Sequence, residues 1–368
     1  MKKLGFGLMR LPMVNEQVDI EKLKTLVDAF MERGFTYFDT AMPYHRGNSE
    51  IAFREAVVKR YPRESYTITD KLSFFMMKEK EDMEAFFAGQ LERIGLDYID
   101  YYFLHGLSLD TYKQALEWGA FEFVGKLKEE GKIKHIGISF HDRADVLEEI
   151  LSHHPEIELV QIQLNYLDWE DANIQSKLCY EVCEKYNKPV AIMEPLKGGA
   201  LVNVVDEVKQ IFEDANKEMS VASWGIRFAA TPKNVMVVLS GMNEMEQLLD
   251  NMSYMDEFVP LNETELKVIE KATNVLKSSI AVPCTGCRYC IEENECPMSI
   301  AIPDYFNIYN NLKRFGQKQM MVAYTYYNNI AKTHGKASAC IECGLCEHVC
   351  PQHLSIRDYL KDVAEVLG

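Results

Sequence analysis

The chain has 368 residues, 47% of them hydrophobic and 26% charged, which describes an ordinary soluble globular protein large enough for more than one domain. Its net charge of −16, spread along the chain, argues against a nucleic-acid partner, whose phosphates it would repel. No run approaches the roughly 20 apolar residues that span a bilayer, and the charged start Met1-Lys2-Lys3-Leu4-Gly5-Phe6-Gly7 has no apolar secretory core behind it, so a cytoplasmic home off the membrane is expected.

Up to Asn251, short β-rich runs alternate with amphipathic segments. The strands predicted are 4–9, 36–39, 66–70, 101–104, 133–139, 159–163, 190–193 and 235–239. Helices are predicted between them over 19–33, 49–60, 80–94, 143–151 and 172–186, several closed by a glycine, as in Arg33-Gly34, Ile94-Gly95 and Glu130-Gly131. Strands alternating with helices pair in parallel through right-handed crossovers. Eight such units in about 250 residues predict an α/β fold, a closed (β/α)8 TIM barrel rather than an open sheet. Gly5-Phe6-Gly7 begins like a dinucleotide fingerprint, but no third glycine follows and Leu11-Pro12 stand where its helix would continue.

Barrel chemistry belongs at the C-terminal ends of the strands. Asp39, Lys71 and His105 end successive predicted strands about one βα unit apart, and Tyr44 lies in the loop after Asp39. Together they can donate a proton to a carbonyl. A phenol is a poor acid near neutrality, and a nearby ammonium favours its phenolate. Lys71 would supply that charge, Asp39 would hold Lys71, and His105 would orient the substrate oxygen. Taken singly, each has an ordinary structural reading as a cap, a surface group or a core histidine; four at matching strand ends favour catalysis.

These residues carry a resemblance to the aldo-keto reductases: Phe38-Asp39-Thr40-Ala41-x-x-Tyr44 with Asn48-Ser49-Glu50, Thr69-Asp70-Lys71 and Leu104-His105. Further matches are Gly137-Ile138-Ser139, Val160-Gln161, Glu194-Pro195-Leu196 and Gly241 through Gln247 to Asn251. The resemblance implies an oxidoreductase that moves hydride between NAD(P)H and a small carbonyl or alcohol, with Tyr44 as general acid. It implies that Ser139 and Gln161 hold the nicotinamide carboxamide, that the 195–199 loop with Pro195, Leu196 and Gly198 takes the pyrophosphate, and that 241–251 takes the adenosine. Phe140 and Met193 replace an asparagine and a ring-stacking tyrosine common in the family. The 241–251 segment has no Lys or Arg for a 2′-phosphate, Gly241 and Gln247 occupying the relevant places, so NADH is expected to bind at least as tightly as NADPH.

After Asn251 the pattern changes. A helix over 262–277, capped by Asn262 or Thr264, is expected to pack on the barrel or bridge onward, which divides the chain into a barrel (1–258), a connecting helix (259–280) and a tail (281–368). Two cysteine runs follow: Cys284, Cys287, Cys290 and Cys296 before Pro297, and Cys340, Cys343, Cys346 and Cys350 before Pro351. The second spells C-x2-C-x2-C-x3-C-P, as in the bacterial ferredoxins; the first differs in its last gap. Ten cysteines without an export signal suit metal better than disulfides. On the two-cluster pattern Cys284, Cys287, Cys290 and Cys350 hold one 4Fe–4S cluster, and Cys340, Cys343, Cys346 and Cys296 the other. Structural zinc is the rival reading, although zinc sites use two separated C-x2-C knuckles. Cys179 and Cys183, one helical turn apart, read as buried core thiols. The insert between the runs is predicted helical from 303 to 333. The whole chain resembles the ferredoxin-tailed aldo-keto reductases. Two other readings remain, an electron carrier or docking protein with the barrel as scaffold, and clusters that only staple the tail. A redox partner protein fits the first, and no flavin motif is found.

Overall fold

The computed structural model describes residues 1–368 other than 173, 279, 280, 285, 287, 293–295, 351 and 352. Among the described residues ten strands are present: β1 (Leu4–Gly7), β2 (Met13–Val14), β3 (Gln17–Val18), β4 (Tyr37–Asp39), β5 (Thr67–Leu72), β6 (Ile99–Leu107), β7 (Ile133–Phe140), β8 (Leu159–Gln163), β9 (Val190–Met193) and β10 (Val235–Ser240). Eight of them close a barrel in the order β1-β10-β9-β8-β7-β6-β5-β4, and β4 pairs in parallel with β1 to complete the ring. The predicted (β/α)8 architecture is therefore present, with β8 and β9 bounded as expected and the ends of the other strands shifted by up to three residues.

Strands buried on both faces read as continuous apolar runs, and β8 is an example, with all five residues buried. Inside the barrel Tyr37, Phe103, Leu159, Ala191, Val237 and Leu239 form one packed cluster. Its tightness explains Gly137: a Cβ there would lie 2.3 Å from a Phe103 ring carbon and 2.8 Å from the Leu159 carbonyl oxygen. The outer strand faces meet the helices, as where Phe6 and Phe38 pack on Phe30 of the helix Ile20–Glu32. That helix starts where Asp19 accepts from the Lys22 amide at 3.0 Å. Gly34, Gly95 and Gly131 all take positive φ at the ends where they were expected.

Three local features depart from expectation. The β2–β3 hairpin turns through Asn15 and Glu16, both at positive φ, and its two-residue strands are too short to show a period. The predicted 49–60 helix is α-helical over Asn48–Phe53 and then widens into a π turn over Arg54–Val58. The predicted 172–186 helix begins only at Ser176, because Gln175 before it is left-handed at φ 54.

Beyond the barrel, Glu263–Ser278 is helical, with Asn262 accepting from the amides of Thr264 and Glu265. Its Ile269, Ala272 and Leu276 pack with Phe212, Trp224 and Leu201, so it lies on the barrel's own helical layer. The insert forms helices Ile302–Phe315 and Met320–Ala331, broken at Gly316 with φ 66. With Ile356–Leu367 they enclose a second core that includes Tyr305, Phe306, Tyr327 and several of the cysteines. Among the described residues no helix is long and apolar enough to cross a membrane.

Candidate active site

The barrel register sets the four tetrad side chains together. Asp39 is the last residue of β4, Lys71 lies near the end of β5, and His105 lies near the end of β6. Lys71 is fully buried, and its Nζ donates to Asp39 Oδ1 at 2.7 Å and to the Thr40 carbonyl at 2.8 Å. The Tyr44 hydroxyl stands 3.4 Å from the same Nζ. Its ring meets the His105 ring edge-on, with centroids 6.3 Å apart. His105 Nδ1 is engaged by the Ser73 hydroxyl at 2.6 Å, which leaves Nε2 as the nitrogen able to meet a ligand.

Burial and charge act in opposite directions here. Burial pushes the Tyr44 phenol above its ordinary value, and the Lys71 charge pulls it back only in part. The expected effect of Lys71 is present, but the crowding around the hydroxyl outweighs it. Burial alone would lower Lys71, yet Asp39, through its charge and its hydrogen bond, holds it above the usual lysine value. Burial, Lys71 and His141 together keep His105 well below its ordinary value, so its ring is neutral near pH 7. The site thus presents a protonated phenol beside a lasting ammonium and a neutral imidazole.

The residues expected to hold a nucleotide lie on the adjoining part of the rim. Ser139 and Gln161 are register partners on β7 and β8. Ser139 Oγ accepts from the Gly106 amide at 2.8 Å, and Gln161 Nε2 donates to Asp39 Oδ2 at 3.2 Å, so Gln161 also braces the tetrad. Met193 ends β9, and Glu194, Pro195, Leu196 and Gly198 follow it. Within that loop Glu194 and Lys197, neither a glycine, take φ 57 and φ 48, the kind of local strain found at ligand clamps. Lys197 points inward and pairs with buried Asp168 at 2.6 Å. Gly241 opens the segment after β10. Gln247 accepts from the Asn243 amide at 3.0 Å as a helix cap, while Asn251 is buried and bonded to Ser240 and Tyr254. These last two side chains shape the segment from within.

Arg10 was passed over in the sequence. It follows β1, reaches across the rim, and donates from Nη1 to the Gly198 carbonyl at 2.7 Å while lying against Gly241. The only signal for it was a cation three residues beyond a strand end.

The residues fit a nicotinamide nucleotide in two respects. Gly199 leaves an open cradle, with nothing within 4 Å of a would-be Cβ, and Glu194 Oε2 is buried in the same loop without a hydrogen-bond partner.

In the tail, Cys284, Cys290, Cys296, Cys340, Cys346 and Cys350 lie in or against one apolar core, and Cys343 is exposed. Cys287 and Pro351 lie outside the described residues. The Cys346 thiol is pushed up to about 11, first by burial and also by Glu347, Cys340 and Cys296, so a first-run cysteine lies beside two of the second run. The Gly286 amide donates to Cys284 Sγ at 3.5 Å, a bond of the kind that tunes iron–sulfur potentials. Soft thiolates crowded in a dry core fit an iron–sulfur cluster in donor chemistry, although among the described residues no three potential ligands close on a single point. Cys179 and Cys183 are buried on the helix Ser176–Lys185, as expected of core thiols.

Comparison with known proteins follows this division. Residues 283–354 match the model of the 4Fe-4S dicluster domain. A curated relative, the NADH-specific methylglyoxal reductase of Escherichia coli (strain K12), is 27% identical over 49% of this chain and 59% of its own length. An aldo-keto reductase of Mycolicibacterium vanbaalenii is 27% identical over 66% of this chain and 81% of its own. Among solved structures, the holo form of a Bacillus halodurans aldo-keto reductase superposes with TM-score 0.60 at 25% identity, covering 73% of this chain and 91% of that one. A Klebsiella pneumoniae aldo-keto reductase in complex with NADPH gives TM-score 0.59 over 73% of this chain and 90% of that one, and at 20% identity the likeness is one of fold. The model of the aldo/keto reductase family matches residues 3–274, most of the chain, and the chain therefore belongs to that family.

Proposed function

We propose that the barrel exchanges hydride between a nicotinamide nucleotide and a small carbonyl or alcohol, with Tyr44 as general acid, and that the tail carries two 4Fe–4S clusters for electron transfer. The observation that carries the first part is the buried Lys71 ammonium held by Asp39 and Thr40 with the Tyr44 hydroxyl at 3.4 Å. When bound, the reduced nicotinamide supplies the hydride to the carbonyl carbon. This chain's own residues handle the proton. Tyr44 gives its proton to the carbonyl oxygen, His105 donates from Nε2 to the same oxygen, and Lys71 stabilises the phenolate left behind until solvent returns the proton. Oxidation of an alcohol runs the same steps in reverse, with the phenolate as base.

Ser139 and Gln161 are the candidates for the carboxamide, Met193 for the ring, and Pro195, Leu196, Gly198 and Gly241 for the path of the diphosphate. The 2′-phosphate finds no basic residue in 241–251, and Lys22 nearby pairs with Glu244. That supports NADH binding at least as tightly as NADPH, and clearly tighter NADPH in a titration would overturn it. Cysteines of both runs in one core support the crossed pairing, with Cys296 serving the second run.

Tyr44→Phe is the direct test. It keeps the ring and removes the proton, so carbonyl reduction should fall by about 10²- to 10⁴-fold with nucleotide affinity intact. Because the phenol is raised, reduction in the parent should hold up through pH 9 and fall only beyond the ordinary tyrosine value of about 10. Unchanged reduction in the variant would remove Tyr44 from its role.

A further inference from the structure

We propose that Arg10 is the cation that grips the pyrophosphate of the nucleotide, at the point where the two cofactor loops face each other across the end of β1. The inference deepens the proposed hydride-transfer reading and rests on it.

Three observations converge. Arg10 lies between the loops: Nη1 is 2.7 Å from the Gly198 carbonyl, and a Cβ on Gly241 would lie 3.1 Å from its own Cβ. Two neighbouring cations are committed elsewhere, Lys197 inward to Asp168 at 2.6 Å and Lys22 to Glu244 at 2.5 Å. The Arg10 side chain is 45% exposed, and its remaining partner is weak, with Nη2 3.9 Å from Glu194 Oε1. A guanidinium has five donors in a planar fork suited to phosphate oxygens, and the bond to Gly198 uses one of them.

Glu194 meets that charge only at long range, 3.9 Å away, and not through a fork-to-carboxylate pair. Burial pushes its carboxyl up toward the neutral form, against the pull of Arg10 and Lys197, and Oε2 has no hydrogen-bond partner. An arginine held at one corner by a carbonyl, with glycines on both sides, can meet a diphosphate at close range. A nucleotide extended from the tetrad toward 241–251 passes Arg10 at its middle, where the pyrophosphate lies, rather than at the adenosine end near Glu244. The glycines at 198 and 241 gain a reason in turn, since a side chain would press on the Arg10 guanidinium at 198 and on its aliphatic stem at 241.

The test is equilibrium binding to the full chain, purified anaerobically, for the parent, Arg10→Ala and Arg10→Lys. The probes are NADH, NADPH, ADP-ribose and adenosine. Arg10→Ala should weaken NADH, NADPH and ADP-ribose alike by about 10- to 100-fold, the worth of charge-assisted hydrogen bonds, and leave adenosine unchanged. Arg10→Lys should recover part of the loss, because the charge returns without the fork. Weakening of NADPH alone would make Arg10 a 2′-phosphate reader and overturn the proposal. Equal weakening of adenosine and ADP-ribose would make it a strut for the loops and overturn it too, as would unchanged affinity for all four. If the parent itself binds neither NADH nor NADPH, the hydride-transfer reading falls and this one with it. Parent binding with an unaffected variant sinks the Arg10 role alone.

Discussion

Asp70 stands one residue before Lys71, fully buried, with Oδ1 accepting from the Lys71 amide at 2.8 Å and Oδ2 lacking a donor. Burial first, and then the Glu50 carboxyl, push Asp70 well above its ordinary value. The folded chain therefore binds a proton that the unfolded chain has released. Stability contributed in this way is present at low pH and lost as pH rises from the ordinary carboxyl range toward the folded value, at up to about 1.4 kcal/mol per pH unit. Asp70→Asn keeps the acceptor for the Lys71 amide and removes the titration. Its stability should gain on the parent as pH rises above the ordinary carboxyl value of about 4, and parallel denaturant midpoints across that rise would defeat the assignment. The tetrad itself was legible from strand ends one βα unit apart, because period and barrel topology fix which side chains share a rim. What stood beside it was not. Ser73 on His105 depends on the register between β5 and β6, Gln161 on Asp39 is a contact across the barrel from β8 to β4, and Arg10 was hidden in a glycine-rich start that resembled another motif.

The strands were read nearly in full, since a buried parallel strand is a run of apolar residues between turn signals, whereas the β2–β3 hairpin, the π turn and the late start at Ser176 follow from single backbone conformations. The same contrast makes two glycines behave oppositely. Gly137 sits in β7 against Phe103 of β6 and the backbone of β8, which cannot yield. Gly137→Ala should destabilise the barrel by about 1–3 kcal/mol or more through overpacking. Gly125 lies inside the helix Ala120–Glu129 with nothing within 4 Å of a would-be Cβ. Gly125→Ala should stabilise by about 0.5–1 kcal/mol, from helix propensity alone. Thermal melts of the pair should move in opposite directions, and a shift of the same sign would mean that packing around β7 has been misjudged.

At the scale of the whole molecule the tail lies on the barrel rim beside the tetrad loops rather than on the far face. Gln319 Nε2 donates to the Lys197 carbonyl at 2.7 Å, Asn307 to Asp171 at 2.8 Å, and Asn329 to the His141 carbonyl at 3.4 Å, while Lys332 pairs with Asp110 at 3.0 Å. Buried Tyr326 reaches Gln163 on β8 at 3.5 Å, and Ile174 of the barrel shares the core that holds the cysteines. Nothing in the sequence announced this docking, because isolated Asn and Gln side chains carry no periodic signal. It has a mechanical consequence. Adjacent carbonyls of the 195–199 loop are held from two sides, Lys197 by the tail and Gly198 by Arg10. Two clusters with crossed ligands would hold the tail core together, so iron removal should loosen the helices Ile302–Phe315 and Met320–Ala331 and, through Gln319, the 195–199 loop. Anaerobic chelation followed by hydrogen exchange should show lost protection in those helices and that loop, with β4–β8 unchanged. NADH affinity should fall in parallel, because a loosened loop must be ordered again on binding. Full protection of the tail after iron loss would mean that its aromatic core suffices alone, leaving electron transfer, rather than stapling, as the reason for the tail's thiolates.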